Sequence, residues 1–417
     1  NIDVIVIDHH LSEEILPKVH SIINPNRFDE NSDFVQMAAV GVTFLFLMAL
    51  RKNLRENNTF HKKNEPNLLI YLDLVALGTV CDVVHLSGYN RTFVKLGLNL
   101  IKERKNLCIS KMIDNANLNS SPTSSDLGFI IGPQLNAASR IDNSSLPSKL
   151  LISNNIEEIE SISRKLILLN EKRKLIENNV LDQALKQAQK QKKQNYILVF
   201  GQDWHKGVLG IVASRIISKY YKPTIVISFD GDKGVGSARS ISSIDIGSII
   251  LNAKNKNILS SGGGHKMAAG LQINYKFLDD FLFFLNDNLN HLSNHLFEKI
   301  DKFDSILSVN EINNELLDII ESLEPFGAGN PEPKFIINDM VISSIKILKE
   351  KHLLIFFQNN FSVNLKAICF NCLDTNLGDY LLNFKKYKFS IGCTIKKNSF
   401  KDTLEPQIII KDIMLIN

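Results

Sequence analysis

The chain has 417 residues, few cysteines, little net charge and no long apolar run. Its five cysteines are an odd, scattered set without the spacing of a disulfide framework, which predicts reduced thiols and a cytoplasmic location. The net charge is only +4, so the chain is not a polycation, and any nucleic-acid contact must be local. The longest apolar run, Ala38 to Leu50, is shorter than the about 20 residues that span a bilayer, so we expect no membrane partner.

The order of the hydrophobic patterns predicts an α/β protein. Residues 2–7 form a nearly continuous apolar run, which is typical of a strand buried on both faces of a parallel sheet. Helical patterns follow at 35–50 and from Asn90 to Lys102, and a second apolar stretch extends from Leu68 to Val84. Strand and helix signals therefore alternate along the first part of the chain.

Residues 155–194 are predicted to form one long helix. Between Arg164 and Asn195 the chain carries nine Lys or Arg against three Asp or Glu, a local excess larger than the net charge of the whole chain. Such a segment is either a solvated connecting helix or a basic wall beside a nucleic-acid channel, and the sequence leaves both readings open.

A second α/β unit and a small barrel are predicted after this helix. Strand patterns at 196–200 and 224–229 mark the α/β unit. After about residue 297, roughly five short alternating runs suggest a β-barrel. These patterns divide the chain into four segments: 1–150, 151–195, 196–295 and 296–417.

Two motifs offer ligands for a divalent metal ion. Asp8-His9-His10 directly follows the first predicted strand, where ligands of open α/β sheets gather. Asp82 ends the second apolar stretch, in the motif Gly78-Thr-Val-Cys-Asp82. Imidazole and carboxylate groups suit metal binding, and a second histidine could meet a phosphate oxygen. Taken alone, paired histidines are often surface residues, and Asp82 could be a helix cap or a turn residue.

Three further motifs in the second α/β unit suit an anion. They are Trp204-His205-Lys-Gly-Val-Leu-Gly210, Gly236-Ser237-Ala238-Arg239-Ser240 and Gly262-Gly263-Gly264-His265. A glycine-rich turn that opens a helix presents N–H groups to an anion, and an arginine supplies a planar fork for phosphate. The three glycines are expected to form a loop over Gly262–His265, which a sugar–phosphate backbone can approach closely because glycine has no Cβ. The alternatives are an ordinary tight turn and an ion pair of Arg239 with Asp230 or Asp232.

Two other patterns are expected to be structural. The stretch Glu324-Pro-Phe-Gly-Ala-Gly-Asn-Pro-Glu-Pro333 is rich in Pro and Gly, which fix the path of the chain into the barrel. Cys369 and Cys372 lack the second ligand pair of a zinc site and lie in a strand pattern, so we expect no chemistry from them.

In this order, the motifs resemble those of the DHH phosphoesterase superfamily and, within it, the RecJ family. Asp8-His9-His10 matches the DHH motif, and Gly78 to Asp82 matches a GTVAD-like motif with Cys81 in place of Ala. Gly132 to Arg140 is similar to GPRLNAAGR, although Gln134 and Ser139 depart from it. The remaining matches are to WHxGVxGIxASR, SGRS, GGGHxxAAG and PFGxGNPxP, and the resemblance covers essentially the whole chain.

The resemblance implies a two-lobed DHH phosphoesterase fold: a parallel-sheet lobe, a long connecting helix and a smaller DHH-associated α/β lobe, followed by an OB-type β-barrel. It implies a 5′→3′ exonuclease that hydrolyses single-stranded DNA with Mn²⁺ or Mg²⁺, in recombination and repair. The strand would lie in a cleft between the lobes. Single-strand-binding protein and a helicase are candidate partners.

The resemblance also implies residue roles. His9 and Asp82 would be metal ligands, and Asp8 and His10 would support them or face phosphate, so the four form the expected catalytic set. The implied substrate-binding residues are Asn136, Arg140, His205, Ser237, Arg239, Gly262, Gly263, Gly264 and His265. In the barrel, Phe356, Phe357 and Phe361 could stack on bases or pack in the core.

The chain begins at Asn1, inside a strand pattern, which leads us to expect a sequence truncated at its N-terminus. The family's remaining metal-binding acids, including a DxD-type motif, would then precede Asn1, and the 417 residues alone would lack part of the metal site. Two alternatives stay open: a non-catalytic single-strand-binding remnant, and another DHH phosphoesterase that acts on short oligonucleotides or cyclic dinucleotides.

Overall fold

The computed structural model describes residues 2–12, 14–60, 65–118, 121–338, 340–358, 365–398 and 405–416. The chain divides into two compact units. The first consists of residues 1–103, 122–128 and 301–417, and the second of residues 104–121 and 129–300. Over the described ranges, no helix has the length and apolar character needed to cross a membrane.

Thirteen α-helical segments and fourteen strands occur in the described parts of the chain. The helices are α1 (Ala39–Glu56), α2 (Leu72–Cys81), α3 (Gly88–Lys102), α4 (Leu107–Asn115), α5 (Ser124–Asp126), α6 (Gly132–Ile141), α7 (Leu146–Ile152), α8 (Ile156–Ala188), α9 (Leu209–Tyr220), α10 (Ile246–Asn255), α11 (Leu278–Leu289), α12 (Asn314–Ser322) and α13 (Asn376–Leu382). The strands are β1 (Ile5–Ile7), β2 (Ser21–Ile23), β3 (Ile197–Gln202), β4 (Thr224–Asp230), β5 (Lys233–Arg239), β6 (Ser261–His265), β7 (Ala268–Asn274), β8 (Ser305–Leu307), β9 (Phe335–Ile337), β10 (Val341–Leu348), β11 (His352–Gln358), β12 (Lys366–Cys369), β13 (Lys388–Asn398) and β14 (Glu405–Ile416).

The first unit opens with a small parallel sheet in which β1 pairs with β2. Only Ile5–Ile7 of the predicted 2–7 strand is extended in this sheet, and Ile5 remains 52% exposed. The prediction of a strand buried on both faces is therefore wrong for the residues described, because β1 has one strand neighbour there. Ile7 and Ile23 pack from this sheet onto a core shared with the first helices.

Three helices complete the part of the first unit that carries the two metal motifs. α1 begins at Ala39 and extends to Glu56, later than the predicted 35–50 segment, while α3 matches its prediction closely. The apolar stretch from Leu68 becomes a 3₁₀ turn and then α2. α2 and α3 approach closely because Gly97 has no side chain: a Cβ there would lie 2.2 Å from the Leu72 carbonyl oxygen.

The C-terminal strands of the first unit form a seven-stranded sheet in the order β10-β11-β12-β14-β13-β9-β8. Six of these strands, β9 to β14, lie where the alternating patterns placed them, and β8 was not predicted. The pairs β12–β14 and β8–β9 are parallel, and the other pairs of the sheet are antiparallel. Their inward side chains enclose a core that includes Cys369, Cys372 and Cys393. Burial raises the pKa of Cys393 to about 12 and that of Cys369 above its usual range, as expected for unreactive core thiols.

The second unit is built on a five-stranded sheet in the order β3-β4-β5-β7-β6, in which only β3 and β4 are parallel. α10 and α11 contribute to the core on one face, and α8 and α9 to the core on the other. The long predicted helix is α8, which starts at Ile156 behind an Asn155 cap and ends at Ala188 before a 3₁₀ turn.

Candidate functional site

Asp8-His9-His10 forms a loop at the carboxyl end of β1, as the pattern predicts. The Asp8 N–H donates to the Ile23 carbonyl at 3.0 Å, which continues the β1–β2 pairing by one residue. Two carboxamides beyond β2 then hold the loop: Asn24 donates to the His10 carbonyl at 2.8 Å and Asn26 to the His9 carbonyl at 2.7 Å. Neither asparagine was predicted from the sequence, although polar residues that follow a short strand could have indicated them.

The Asp8 carboxylate organises the two histidines. It accepts the His9 backbone N–H at 2.8 Å and lies 2.7 Å from His10 Nδ1. Partial burial favours a higher pKa for Asp8, but the hydrogen bonds from the His10 ring and from the backbone of His9 and His10 outweigh it, so the pKa of Asp8 lies below its ordinary value. Asp8 is thus a carboxylate at neutral pH.

Asp82 meets this loop from the end of α2. It is the C-terminal cap of the helix, and its carboxylate oxygen lies 3.4 Å from His9 Nε2. Asp82 therefore lies at a helix end, as one reading expected, and its role as a metal ligand stays a prediction. Asp8, His9 and His10 also offer ligand atoms that all lie within 4.8 Å of one another. Imidazole nitrogen and carboxylate oxygens arranged in this way suit a divalent cation.

In the second unit, Arg239 is a half-buried cation with neutral partners. Its Nη1 donates to Ser237 Oγ at 3.1 Å and to the Ala238 carbonyl at 2.9 Å. The other guanidinium nitrogen lies against the start of α9, where a Cβ on Gly210 would stand 2.7 Å from it. Burial lowers the pKa of Arg239, and the positive charge of Arg140 lowers it further.

The alternative in which Arg239 forms an ion pair with Asp230 or Asp232 is wrong for the described residues. No carboxylate there, including those of Asp230 and Asp232, forms an ion pair with it. Ser240, which also belongs to the motif, is turned away: it is buried and its hydroxyl donates to the Ile244 carbonyl at 2.8 Å. A desolvated guanidinium without a counter-charge is a favourable place for an anion.

Arg140 connects two of the predicted motifs. Its Nη1 donates to the Gly207 carbonyl at 3.0 Å, and the backbones approach so closely that a Cβ on Gly207 would lie 2.4 Å from the Arg140 carbonyl oxygen. Gly207 in turn donates its N–H to His205 Nδ1 at 3.1 Å. Asn136 is exposed one helical turn before Arg140 on α6. The structure thus brings Arg140 and His205 to one turn.

Three charged residues that were given no role from the sequence form ion pairs close to Arg140: Arg173, Glu177 and Arg215. Glu177 on α8 is buried between Arg173, which also binds Asn170, and Arg215 of α9, whose Nε lies 3.2 Å away. Burial lowers the pKa of Arg140, and Arg173 lowers it further, so these guanidinium groups act on one another. An Arg–Glu pair at helical spacing is more often on a surface, so only Arg215, which ends the WHxGVxGIxASR match, could have pointed to this network.

The three-glycine motif is a strand, and the expected loop is wrong. Gly262, Gly263, Gly264 and His265 belong to the edge strand β6, opposite β7. Gly263 pairs with Gly270, which pairs with Ser237 across the sheet, so the three share one face. A Cβ on Gly263 or Gly270 would meet nothing within 4 Å in the described structure. Arg239 and His265 project from the same face, two residues further along their strands.

The face of β6 and β7 that carries Gly263 and Gly270 is bare because α8 and α9 pack over a different part of the sheet. The helices α8 and α9 cover the face over β3 and β4, where Val199 and Val226 join their core. Beyond β5 the side chains shrink to glycine and alanine, and Gly263 and Gly270 are solvent-exposed. The result is a strip of accessible backbone bordered by Ser237, Arg239 and His265.

In the barrel, the three phenylalanines have different positions. Phe357 is 8% exposed and packs in the core, so it is not available for stacking. Phe356 is partly exposed, and Phe361 lies outside the described residues. Phe370, which the sequence analysis did not select, is 50% exposed and packs edge-on to His352 with ring centroids 5.4 Å apart.

Comparison with known proteins agrees with these motifs. Family models match at residues 1–79 (DHH family, N-terminal domain), 193–291 (DHHA1 domain) and 303–412 (RecJ OB domain). The fold and its motifs therefore place the chain in the class of DHH phosphoesterases that carry a DHHA1 domain and an OB domain.

Curated relatives narrow this class. The chain is 38% identical to the single-stranded-DNA-specific exonuclease RecJ of Haemophilus influenzae, over 89% of this chain and 67% of that protein. It is 33% identical to the Salmonella typhimurium RecJ, over 99% of this chain and 73% of that protein. The crystal structure of Thermus thermophilus RecJ with Mn²⁺ matches with a TM-score of 0.80 at 25% identity, over 99% of this chain and 58% of that one; a structure of the same protein with Mg²⁺ matches equally well. The chain belongs to the RecJ family.

Proposed function

We propose that the protein is a metal-dependent exonuclease that hydrolyses the phosphodiester bonds of single-stranded DNA from the 5′ end. The observation that carries the proposal is the meeting of His9 and Asp82, 3.4 Å apart and beside Asp8 and His10, at the positions where the family motifs fall. The relatives named above are single-stranded-DNA-specific exonucleases, which supports the same substrate and reaction here.

His9 and Asp82 would hold the metal ion, Mn²⁺ or Mg²⁺, the ions found with the Thermus thermophilus protein. When bound, a divalent ion polarises the phosphoryl oxygen and promotes attack by water. Asp8 keeps His10 in place and supports the turn that presents His9, while Asn24 and Asn26 fix the backbone of the same turn. Partners of this kind orient metal-binding residues.

Arg239 would bind the terminal 5′-phosphate. A terminal phosphate carries more charge than an internal one, and Arg239 is the half-buried cation described above, with only neutral partners over the described residues. Ser237 offers a hydroxyl and Gly210 leaves room for the guanidinium. Asn136, Arg140 and His205 would contact the adjoining backbone of the strand, because Arg140 and His205 share one turn.

The strip over Gly262–His265 would receive the sugar–phosphate backbone, because Gly263 and Gly270 present no side chain. The OB domain would hold the strand further from its end, with exposed rings such as Phe370 available to bases. These contacts are with phosphate and stacked bases, so binding should be independent of sequence and should weaken with added salt.

The experiment uses the protein expressed from its complete reading frame. Single strands of increasing length carry a label at the 5′ or the 3′ end, and their degradation is followed with Mn²⁺, with Mg²⁺ and with EDTA. We expect the 5′ label to be released first, on long strands and only with metal. Binding without cleavage would identify a single-strand-binding protein, and cleavage confined to the shortest substrates would identify an oligonucleotide phosphodiesterase.

We further propose a role in recombination and repair in the cytoplasm, with single-strand-binding protein and a helicase as partners. The family resemblance suggests these partners, and the five scattered cysteines, without the spacing of a disulfide framework, suit a reducing compartment. If the partners act with this enzyme, adding them to a duplex substrate should release 5′ nucleotides from the strand that the helicase unwinds; an unchanged rate would contradict the proposal.

A further inference from the structure

The turn from Pro325 to Asn330 lies against the segment that follows Asp82. The Leu86 N–H donates to the Ala328 carbonyl at 2.7 Å. Within the turn, Gly327 and Asn330 exchange backbone hydrogen bonds of 2.9 and 3.2 Å, and the Asn330 side chain donates to the carbonyls of Leu323 and Pro325, each at 2.9 Å. The turn is thus internally cross-linked and presents a defined surface to Leu86.

Two glycines make this contact possible. A Cβ on Gly327 would lie 2.7 Å from Leu86 Cδ1, and Leu86 is only 3% exposed. Gly329 has a φ of +72°, and a Cβ there would lie 2.9 Å from His85 Cγ. The glycines of this motif therefore serve close packing on residues 85 and 86, in addition to turning the chain towards the barrel.

The same turn is connected to the end of α2 by a second route. Ser124 is buried and donates its hydroxyl to the Phe326 carbonyl at 2.6 Å. The Leu127 carbonyl, one helical turn later, lies 3.8 Å from the sulfur of Cys81, the residue before Asp82. Cys81, before Asp82, therefore contacts the segment that binds the turn, and Leu86, after Asp82, contacts the turn itself.

Asp82 itself needs such support. Its neighbour Val83 is a β-branched residue with a φ of +60° and is 71% exposed, so its own side chain does not stabilise this unfavourable backbone conformation. The carboxylate contacts His9 at 3.4 Å, without a hydrogen bond from a neighbouring residue among those described. Its direction is then set by the backbone from residue 81 to residue 86.

We propose that the Pro325–Asn330 turn positions Asp82 for metal binding. Gly327 and Gly329 hold Leu86 and His85, Ser124 holds the turn, and together they fix the backbone that aims the Asp82 carboxylate at His9. None of these positioning residues touches the metal ion. The inference rests on the proposed function, since it assigns the turn to the same metal site.

The test measures Mn²⁺ binding directly, by the electron paramagnetic resonance signal of free Mn²⁺, in the protein expressed from its complete reading frame. Gly327→Ala pushes on Leu86 and should weaken Mn²⁺ binding about tenfold, the scale for partners that orient metal ligands. Adding Leu86→Val, which removes the atom nearest the new methyl group, should restore most of the affinity. Single-strand binding without metal should stay unchanged.

Gly231→Ala is the control, because a Cβ there would meet nothing within 4 Å among the described residues; its φ of +55° makes alanine more strained there than at Gly327, so any backbone effect is over-represented in the control. If Gly327→Ala does not fold, Ser124→Ala carries the test, since it removes one hydrogen bond without adding bulk; about threefold weaker Mn²⁺ binding is expected.

Three results would overturn the proposal: Mn²⁺ affinity equal to that of the control, no restoration by Leu86→Val, or a parallel loss of single-strand binding. The Asp82→Asn variant distinguishes failure of the positioning role from failure of the proposed function. If Asp82→Asn leaves Mn²⁺ binding and hydrolysis intact, the proposed metal site is wrong. If it abolishes both while Gly327→Ala and Ser124→Ala behave like the control, only the positioning role is wrong.

Discussion

The metal motifs, which contain Asp8, His9, His10 and Asp82, differ from the arginine region around Arg140 and Arg239 in their balance of acidic and basic side chains. Around Asp8, His9, His10 and Asp82 each carboxylate has an imidazole beside it, and both kinds of group offer lone pairs to a cation. Around Arg239 the cations outnumber the acids, because Glu177 is shared by Arg173 and Arg215. The first region suits a divalent ion and the second suits phosphate, so we propose that the first serves the reaction and the second serves binding.

Asp82→Asn should give the largest effect and should affect only one of the two regions. Loss of a ligand to an ion that contributes several kcal/mol to the transition state should slow hydrolysis at least about a thousandfold. The affinity for 5′-phosphorylated single strands, measured without metal by fluorescence anisotropy, should not change. If the affinity for single strands falls along with the rate of hydrolysis, the two regions do not act separately and the comparison is wrong.

Glu177→Gln tests whether the arginine region depends on its shared acid. The Glu177 side chain is 3% exposed and pairs with Arg173, so removing its charge leaves a buried guanidinium without a counter-charge. We expect the free energy of unfolding to fall by about 3 kcal/mol in urea titrations. Glu160→Gln, which breaks more accessible pairs with Lys111 and Arg164, is the control and should cost much less. Equal losses would show that the buried network has no special weight.

Arg239→Ala should separate terminal from internal phosphates. Loss of a charge-assisted hydrogen bond should cost about 2 kcal/mol for 5′-phosphorylated strands, or about thirtyfold in kcat/KM. Strands with a 5′-hydroxyl should lose much less. The control is Arg164→Ala, since Arg164 is exposed and paired with Glu160. An equal loss on both substrates would make Arg239 a general backbone or structural contact.

The sequence predicted most of the strands and helices because their signals are local. The alternating run around Val341–Leu348, the continuous apolar run of Thr224–Asp230 and the capped helix from Ile156 are properties of neighbouring residues. The first strand was predicted too long and too buried, because burial depends on which strands lie beside it. Periodicity alone does not supply that information.

The site shows the same limit. Motif residues such as Asp8, His9 and Arg239 could be selected by type and by resemblance, and their roles remain predictions. Asn24 and Glu177 could not be selected, because their importance comes from what packs around them. The three glycines were predicted to form a loop, since glycine is usually read as a turn signal; here they leave one face of an edge strand without side chains.

Gly263→Val gives the smallest effect and tests the bare strip most directly. A side chain there would point into open space, so the protein should fold as before, and the strand could gain slightly from a β-branched residue. It would, however, cover accessible backbone next to Ser237 and His265, and should weaken binding of single strands by about 1 kcal/mol, or about fivefold in Kd. Gly264→Val is the companion: its Cβ would lie 2.3 Å from the Ala268 carbonyl oxygen, so it should lower the melting temperature strongly. Unchanged DNA affinity in a folded Gly263→Val protein would remove the strip from the binding surface. Equal destabilisation by the two substitutions would show that both faces of β6 are packed.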